Sequence, residues 1–431
     1  MDHCEYACGT ADHGLSRRSF LGAAAAGVAG VAGVLGGFTT PASARELSKT
    51  GKRVFTIFLS GGVSQLETWD PKPGTDTGGP FRAIPTSVPG IHISELLPHT
   101  AKQMHRMALV RGVNTAEDEH GRGAVIMLTG RRTEPGIEYP QLGAVCAKLL
   151  GTGKEELPGH IQIHPGGGGG FNKQDAAFLG PRYASVTVGD GKPPADLYRP
   201  AGLSAEADRQ REALRQKLNA RFAQSRRTAM TEAYAESYDQ AAKVIARGDV
   251  FDISKEDPKL ADKYGRHDFG RHLLLARRLL EQGVTFVNVQ HTNYDTHHEN
   301  FDFHIEQLGE FDQPFAAFLD DLAERGMLDS TLVVVMSEFG RTPKINHLYG
   351  RDHWSKAWSV VLAGCGLKAG AVVGKTNANG TAVTDREVNG GHLFHTYLRA
   401  VGQDPTKNFH PNDRPVPIAD PKASAITELL A

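Results

Sequence analysis

The chain has 431 residues, of which 40% are hydrophobic and 23% charged, with 48 Lys and Arg against 49 Asp and Glu. Such a length supports one large domain with an insertion, or two domains, and is ample for a substantial core. A formal net charge of −1 gives no electrostatic case for nucleic acid or an anionic membrane, so an anionic ligand has to be held locally, by a metal ion or a few arginines.

The first predicted element is an export signal. Ser16-Arg17-Arg18-Ser19-Phe20-Leu21-Gly22 is a twin-arginine motif, followed by an uncharged Ala/Gly-rich stretch from Leu21 to Phe38 and a small-residue cleavage site at Ala42-Ser43-Ala44. Residues 1–44 are therefore set apart from the fold. The apolar stretch is short and glycine-rich for a stable span of about 20 residues, so no stable membrane insertion is expected after cleavage. The signal implies the twin-arginine translocase as a partner during export and a periplasmic or extracellular destination. Beyond it the two signs of charge balance, and only Cys146 and Cys365 remain of four cysteines. Their spacing does not suit a metal, and a disulfide or two buried thiols both fit.

Arg53 to Leu59 is a strand by its β-branched and aromatic content, and it runs straight into Ser60-Gly61-Gly62. A helix is expected from His99 to Met107 and a second strand from Met107 to Arg111. A helix follows from Gly123 to Leu128, stopped by Thr129-Gly130, and another spans Gln141 to Leu150. His160 to His164 is a third strand, followed by five glycines, Gly166 to Gly170, read as a loop. Ser204 to Arg247 has no proline and reads as one or two long amphipathic helices. Residues 201–266 are expected to form a helical insertion or cap on a core built from 45–200 and 267–431. Asp268 to Glu281 is a helix with a leucine-rich face, leading into a buried strand at Val284 to Val289. Phe311 to Arg325 is a helix before the strand Thr331 to Met336, and Trp358 to Ala363 and Ala371 to Val373 are further strands. Helices alternating with apolar strands imply an α/β fold with a doubly wound, mostly parallel sheet.

Reactive side chains gather after four of these strands, where open α/β sheets bind ligands. The first group contains Glu67 and Asp70. The second, Asp118-Glu119-His120-Gly121-Arg122, lies at the predicted start of a helix, whose free N–H groups favour anions. The third, His291 to Asn300, includes Asp295, His297 and His298, and imidazole with carboxylate is the donor set of a zinc-like cation. The fourth contains Glu338, for which Arg341 is a candidate partner, and it is followed by Gly350-Arg351-Asp352-His353-Trp354.

These motifs, with Leu128-Thr129-Gly130-Arg131 and Ser337-Glu338-Phe339-Gly340-Arg341-Thr342-Pro343, resemble the DUF1501 family over nearly the whole chain beyond the leader. The resemblance implies a secreted α/β protein of the alkaline phosphatase–sulfatase superfamily, whose members hydrolyse or transfer phosphate and sulfate esters with metal ions. By that resemblance Asp295 with His297 or His298, Glu338 and His353 are metal ligands. The aspartate usual after the first strand is missing, and Glu67 or Asp70 is the substitute. His120 stands at the position of the sulfatase nucleophile, where no Cys or Ser is available to become formylglycine.

The leading expectation is an exported hydrolase of a small-molecule or polymer phosphate or sulfate ester. One divalent ion would sit on Asp295, His297 and His353, and Glu338 with Asp70 or Glu67 would hold a second. Zinc is favoured, with manganese, calcium or magnesium as alternatives. His120 would be nucleophile, ligand or acid/base group, and Arg122 or Arg341 would neutralise the substrate. The rival expectations are a non-catalytic secreted binding protein on the same fold and a phosphomutase-like transferase.

Overall fold

A computed structural model describes residues 51–164, 175–189, 202–225 and 229–430. The leader and the glycine run lie outside the described residues. Residues Ala44–Ala431 form one compact unit. Its centre is an eight-stranded sheet. In chain order the strands are β1 (Arg53–Leu59), β2 (Met107–Val113), β3 (His160–His164), β4 (Val186–Gly189), β5 (Phe286–His291), β6 (Thr331–Met336), β9 (Trp358–Ala363) and β10 (Val372–Val373), with a separate two-stranded ribbon of β7 (Gly340–Arg341) and β8 (His353–Trp354). The sheet order is β10-β2-β9-β6-β1-β5-β3-β4. Pairing is parallel throughout except at β9, which runs antiparallel to both β2 and β6. The sheet is therefore mixed and mostly parallel, as the alternation of elements implies.

The chief helices are α1 (His120–Thr129), α2 (Leu142–Leu150), α3 (Ala205–Ser225), α4 (Ala229–Ala246), α5 (Asp268–Glu281), α6 (Asn300–Glu324) and α7 (Gly390–Ala400). Helices α1, α2, α5, α6 and α7 cover the two faces of the sheet. On one side Phe55, Ile57, Leu59, Val287 and Val289 pack with Leu273 and Leu274 of α5 and Leu308, Phe311 and Phe315 of α6. On the other, Val54, Phe58, Val334 and Met336 pack with Met127 of α1, Val145 of α2 and Phe394 of α7. Both faces are buried, which is why these strands are continuously apolar rather than alternating.

Four expected elements change, among them the helix placed at Gly123 to Leu128, which begins three residues earlier. The helix predicted for His99 to Met107 breaks into a single turn, Pro98–Ala101, and a 3-10 turn, Met104–Arg106. Helix α6 begins eleven residues before Phe311, because its first turns bury the polar Asn300, His304 and Gln307 instead of an apolar stripe. The strand placed at Val284 to Val289 is shifted and includes His291. Helix α1 starts at His120, and Gly130 closes it in the left-handed conformation at φ 71°. No helix of the described residues is long and apolar enough to cross a membrane. Cys146 and Cys365 are both free thiols, buried in the same apolar layer.

Candidate metal centre

The carboxyl ends of β1, β2, β5 and β6 lie on one edge of the sheet, since these strands are mutually parallel, and the turns that follow them build one cluster. After β1, Gly61 and Gly62 take φ values of 114° and 82°. A Cβ on Gly61 would lie 2.4 Å from the Asp295 nitrogen, so only glycine lets the two turns touch. The Gly61 N–H donates to Glu338 Oε1 at 2.9 Å. Ser337 Oγ lies 2.6 Å from the Leu59 carbonyl and 2.8 Å from Glu338 Oε2, and its one proton serves one of the two. Glu338 is 2% exposed, and its Oε1 also receives His120 Nδ1 at 2.6 Å. That bond raises the His120 pKa against the opposing effect of partial burial. His120 is thus fixed with Nε2 directed at Asp295, 3.4 Å from Oδ2, and its ring lies against Phe339 and His353.

Asp295 Oδ1 is the centre of the second half. His297 Nε2 is 3.1 Å away and His353 Nε2 3.3 Å, and the two imidazole nitrogens are 3.0 Å from each other. The far nitrogens decide what these contacts are. His353 Nδ1 faces the Asp118 main-chain carbonyl at 2.7 Å and His297 Nδ1 faces Asp352 Oδ1 at 2.8 Å. Both partners only accept, so both Nδ1 atoms carry the proton. In the neutral tautomers both Nε2 atoms are then bare lone pairs, turned towards each other and towards a carboxylate oxygen. Arg341 already donates to the carboxylate oxygen, and a cation between the two imidazole lone pairs would relieve their contact. An ion with bonds of about 2.0–2.1 Å in tetrahedral geometry spaces its ligands about 3.3 Å apart, and the three edges here are close to that. The outward Nδ1–H bonds are the usual support for metal-binding histidines. The residues present therefore fit a divalent ion. His120, Asp295 and His353 also offer ligand atoms within 4.8 Å of one another, with His120 Nε2 3.4 Å from Asp295 Oδ2.

Arg341 is a fully buried cation. It donates to the carbonyls of Gly61, Gly62 and Arg351 and to Asp295 Oδ1. Burial would raise the Asp295 pKa, but Arg341 and the facing imidazoles hold it down to about 2. Burial, with the charges of Arg341 and His120, lowers that of His353.

The expected site residues divide accordingly. Asp295, His297, His353, His120 and Glu338 come together. His298 does not: it is exposed, beside Glu299 and the Phe303 ring. Glu67 is committed to Arg351 at 2.8 Å, both side chains fully buried. Asp70 is bound by Lys72 at 2.9 Å, by Arg111 at 3.6 Å and by the Thr376 hydroxyl. Both are therefore held by other partners, while Gly61 and His120 hold Glu338 Oε1. Arg341 pairs with Asp295, not Glu338, and its burial keeps it from a substrate. Arg122 lies on Glu117 at 3.1 Å and near Glu119. The first N–H groups of α1 are not free either: the Glu119 carboxylate accepts from Gly121 and Arg122. Asp352 and Asp118 are the residues sequence reasoning missed. Asp352 carried a signal, as the carboxylate next to His353, whereas Asp118 acts through its main chain and carried none.

A family model described as "Protein of unknown function (DUF1501)" matches residues 51–430. No curated protein matches. Among solved structures the chain is similar to Ps i-CgsB in complex with k-i-k-neocarrahexaose, at 9% identity and TM-score 0.39, covering 82% of this chain and 73% of that one. It is similar to a protein in the alkaline phosphatase superfamily from Vibrio parahaemolyticus, at 13% identity and TM-score 0.34, covering 85% and 76%. It is also similar to the lipoteichoic acid synthase LtaP from Listeria monocytogenes, at 8% identity and TM-score 0.36, covering 86% and 76%. Likenesses this distant leave the chemistry to be argued from the chain's own residues.

Proposed function

The chain belongs to the DUF1501 family, and we propose that it is an exported hydrolase of phosphate or sulfate esters that uses one divalent metal ion, zinc by preference. The observation that carries this reading is the triangle of Asp295 Oδ1, His297 Nε2 and His353 Nε2, with edges of 3.0, 3.1 and 3.3 Å and both Nδ1 atoms bonded outward. The ester class rests on the resemblance of Asp295-Thr296-His297, Glu338 and His353 to the alkaline phosphatase–sulfatase pattern.

A bound ion would polarise the ester oxygen or lower the pKa of a water, worth several kcal/mol at the transition state. The chain's own groups do the rest. Asp352 and the Asp118 carbonyl hold the two imidazoles in their tautomers. Arg341 offsets the Asp295 charge and fixes its carboxylate plane. Glu338 holds His120 with its partly exposed Nε2 beside Asp295, from where it would give a proton to the departing alcohol as the ester P–O or S–O bond breaks and regain one from the attacking water, whose oxygen stays on phosphorus or sulfur. The side chain of His120 is 38% exposed, which leaves room for a substrate beside it.

The test is a panel of phosphate monoesters, phosphodiesters and sulfate esters, with protein reconstituted in zinc or manganese. The reading expects saturable hydrolysis that is abolished in Asp295→Ala. In His120→Ala it expects turnover to fall by about 10²–10⁴-fold with the metal retained. Metal-replete protein inert on every ester would refute it and leave a binding protein. Export belongs to the same reading: replacing Arg17 and Arg18 by lysine should hold the protein in the cytoplasm, and undiminished export would contradict it.

A further inference from the structure

The two histidines of the triangle stand far apart in sequence, and the turn between β7 and β8 joins the segments that carry them. Three main-chain hydrogen bonds cross between these segments: Arg351 N–H to the Thr296 carbonyl at 2.9 Å, Glu299 N–H to the Leu348 carbonyl at 3.1 Å and Asn300 N–H to the Tyr349 carbonyl at 3.0 Å. Gly350 packs so closely that a Cβ on it would fall 1.9 Å from the His297 carbonyl oxygen. Glu299 and Tyr349 take φ values of 49° and 56°, which non-glycine residues keep only where their surroundings over-determine them. One side chain completes the join. Asn346 Nδ2 donates to the His297 carbonyl at 2.9 Å and lies 3.4 Å from Asp352 Oδ1, the oxygen that holds His297 Nδ1. Its Oδ1 accepts the Leu348 and Gly350 N–H groups at 2.9 Å each, and its own N–H donates to the Gly350 carbonyl at 2.9 Å.

The partners fix which way the amide points. Two N–H groups require an oxygen on one side, while a carbonyl and a carboxylate require a donor on the other. The oxygen shapes the turn that leads into Asp352 and His353. The NH2 group fastens that turn to His297, at its main chain and at the acid behind its ring. Asn346 therefore acts on the metal ligands through the backbone and through Asp352. Resting on the single-ion reading of this site, we infer that Asn346 is a positioning residue of the metal centre, which sets the spacing of His297 and His353 by clamping the two turns to each other.

The test measures zinc affinity by competition with a chromophoric chelator, and the visible spectrum of the cobalt(II)-loaded protein, which reports ligand geometry. In Asn346→Ala, which removes the clamp, we expect affinity to fall by about 10–100-fold and the cobalt bands to shift. Asn346→Asp keeps the oxygen that closes the turn but sets a second oxygen against the His297 carbonyl and the Asp352 carboxylate, which repel it. Added negative charge alone would tighten the hold on a cation, so a loss of about tenfold or more reads as displacement of His297. In an Asp352→Ala background the loss caused by Asn346→Ala should be smaller than it is alone, because both residues act on one ring. Far-UV spectra identify the folded variants, and either substitution at Asn346 suffices if the other does not fold. In a folded variant, zinc affinity equal to or above that of the wild type, or an unmoved cobalt spectrum, would overturn the inference while a wild type that binds one ion keeps the single-ion reading. A wild type that takes up no zinc removes both.

Discussion

Four side chains meet at Asp295, and each is fixed by an atom behind it: Glu338 behind His120, Asp352 behind His297, the Asp118 carbonyl behind His353, and three carbonyls behind Arg341. Removing one support should therefore loosen the site without unfolding the protein. For Asp352→Ala we expect metal affinity to fall by about 10–100-fold, measured by competition with a chromophoric chelator, with an unchanged far-UV spectrum. At this scale the sequence was readable where chemistry is local. Asp295, His297 and His353 stand out because imidazoles and a carboxylate follow strand ends. Glu67 and Asp70 misled for a physical reason: a carboxylate after a strand looks free until its partners are known, and Arg351 and Thr376 come from about three hundred residues away. Glu338 was legible as a carboxylate needing a partner and Arg341 as the candidate, yet Arg341 pairs with Asp295, which depends on how two turns pack.

The turns after β1 and β5 depend on each other. Gly61 combines a φ of 114° with a missing Cβ that would otherwise strike the Asp295 nitrogen. Gly61→Ala should cost about 1–3 kcal/mol in backbone strain and, by pushing Asp295 aside, lose the metal; denaturant melts and metal content together check this. The Glu67–Arg351 pair ties the loop after β1 to the segment before β8. Breaking a pair this buried leaves a charge uncompensated, so Glu67→Gln should cost about 3–5 kcal/mol near neutral pH. Burial alone would raise the Glu67 pKa, but Arg351 and His304 bring it below the ordinary value. A depressed folded pKa gives stability that is present above the unfolded pKa of about 4.3 and is lost as pH falls through the folded value. The gap in melting temperature between wild type and Glu67→Gln should therefore narrow in acid, and a gap that widens would show the sign to be wrong. Strongly patterned elements such as Asp268–Glu281 and Thr331–Met336 were legible to the residue. The first half of α6 was not, because its buried side includes His304 and Gln307, which periodicity scores as polar.

For the whole molecule, the sheet brings together four turns that are remote in sequence, and one ion would tie them to one another. Zinc should therefore raise the melting temperature, since a ligand at about 100 times its dissociation constant stabilises by about 2.7 kcal/mol, and a strong chelator should reverse the gain. The parallel order of the strands was readable from their alternation with helices, and it implied a shared edge for the site. The reversed β9 was not readable, because an antiparallel strand in a buried sheet has the same apolar composition as its neighbours. A single ion is expected because Gly61 and His120 hold Glu338 Oε1 and glycine stands where a first-strand carboxylate would be. The direct test is metal content by mass spectrometry after reconstitution and removal of excess ion, in the wild type, Asp295→Ala and Glu338→Gln. We predict about one equivalent in the wild type, close to one in Glu338→Gln, and under about 0.2 in Asp295→Ala, as a set closed by Asp295, His297 and His353 requires. Two equivalents in the wild type, or none after reconstitution, would contradict the single-ion centre.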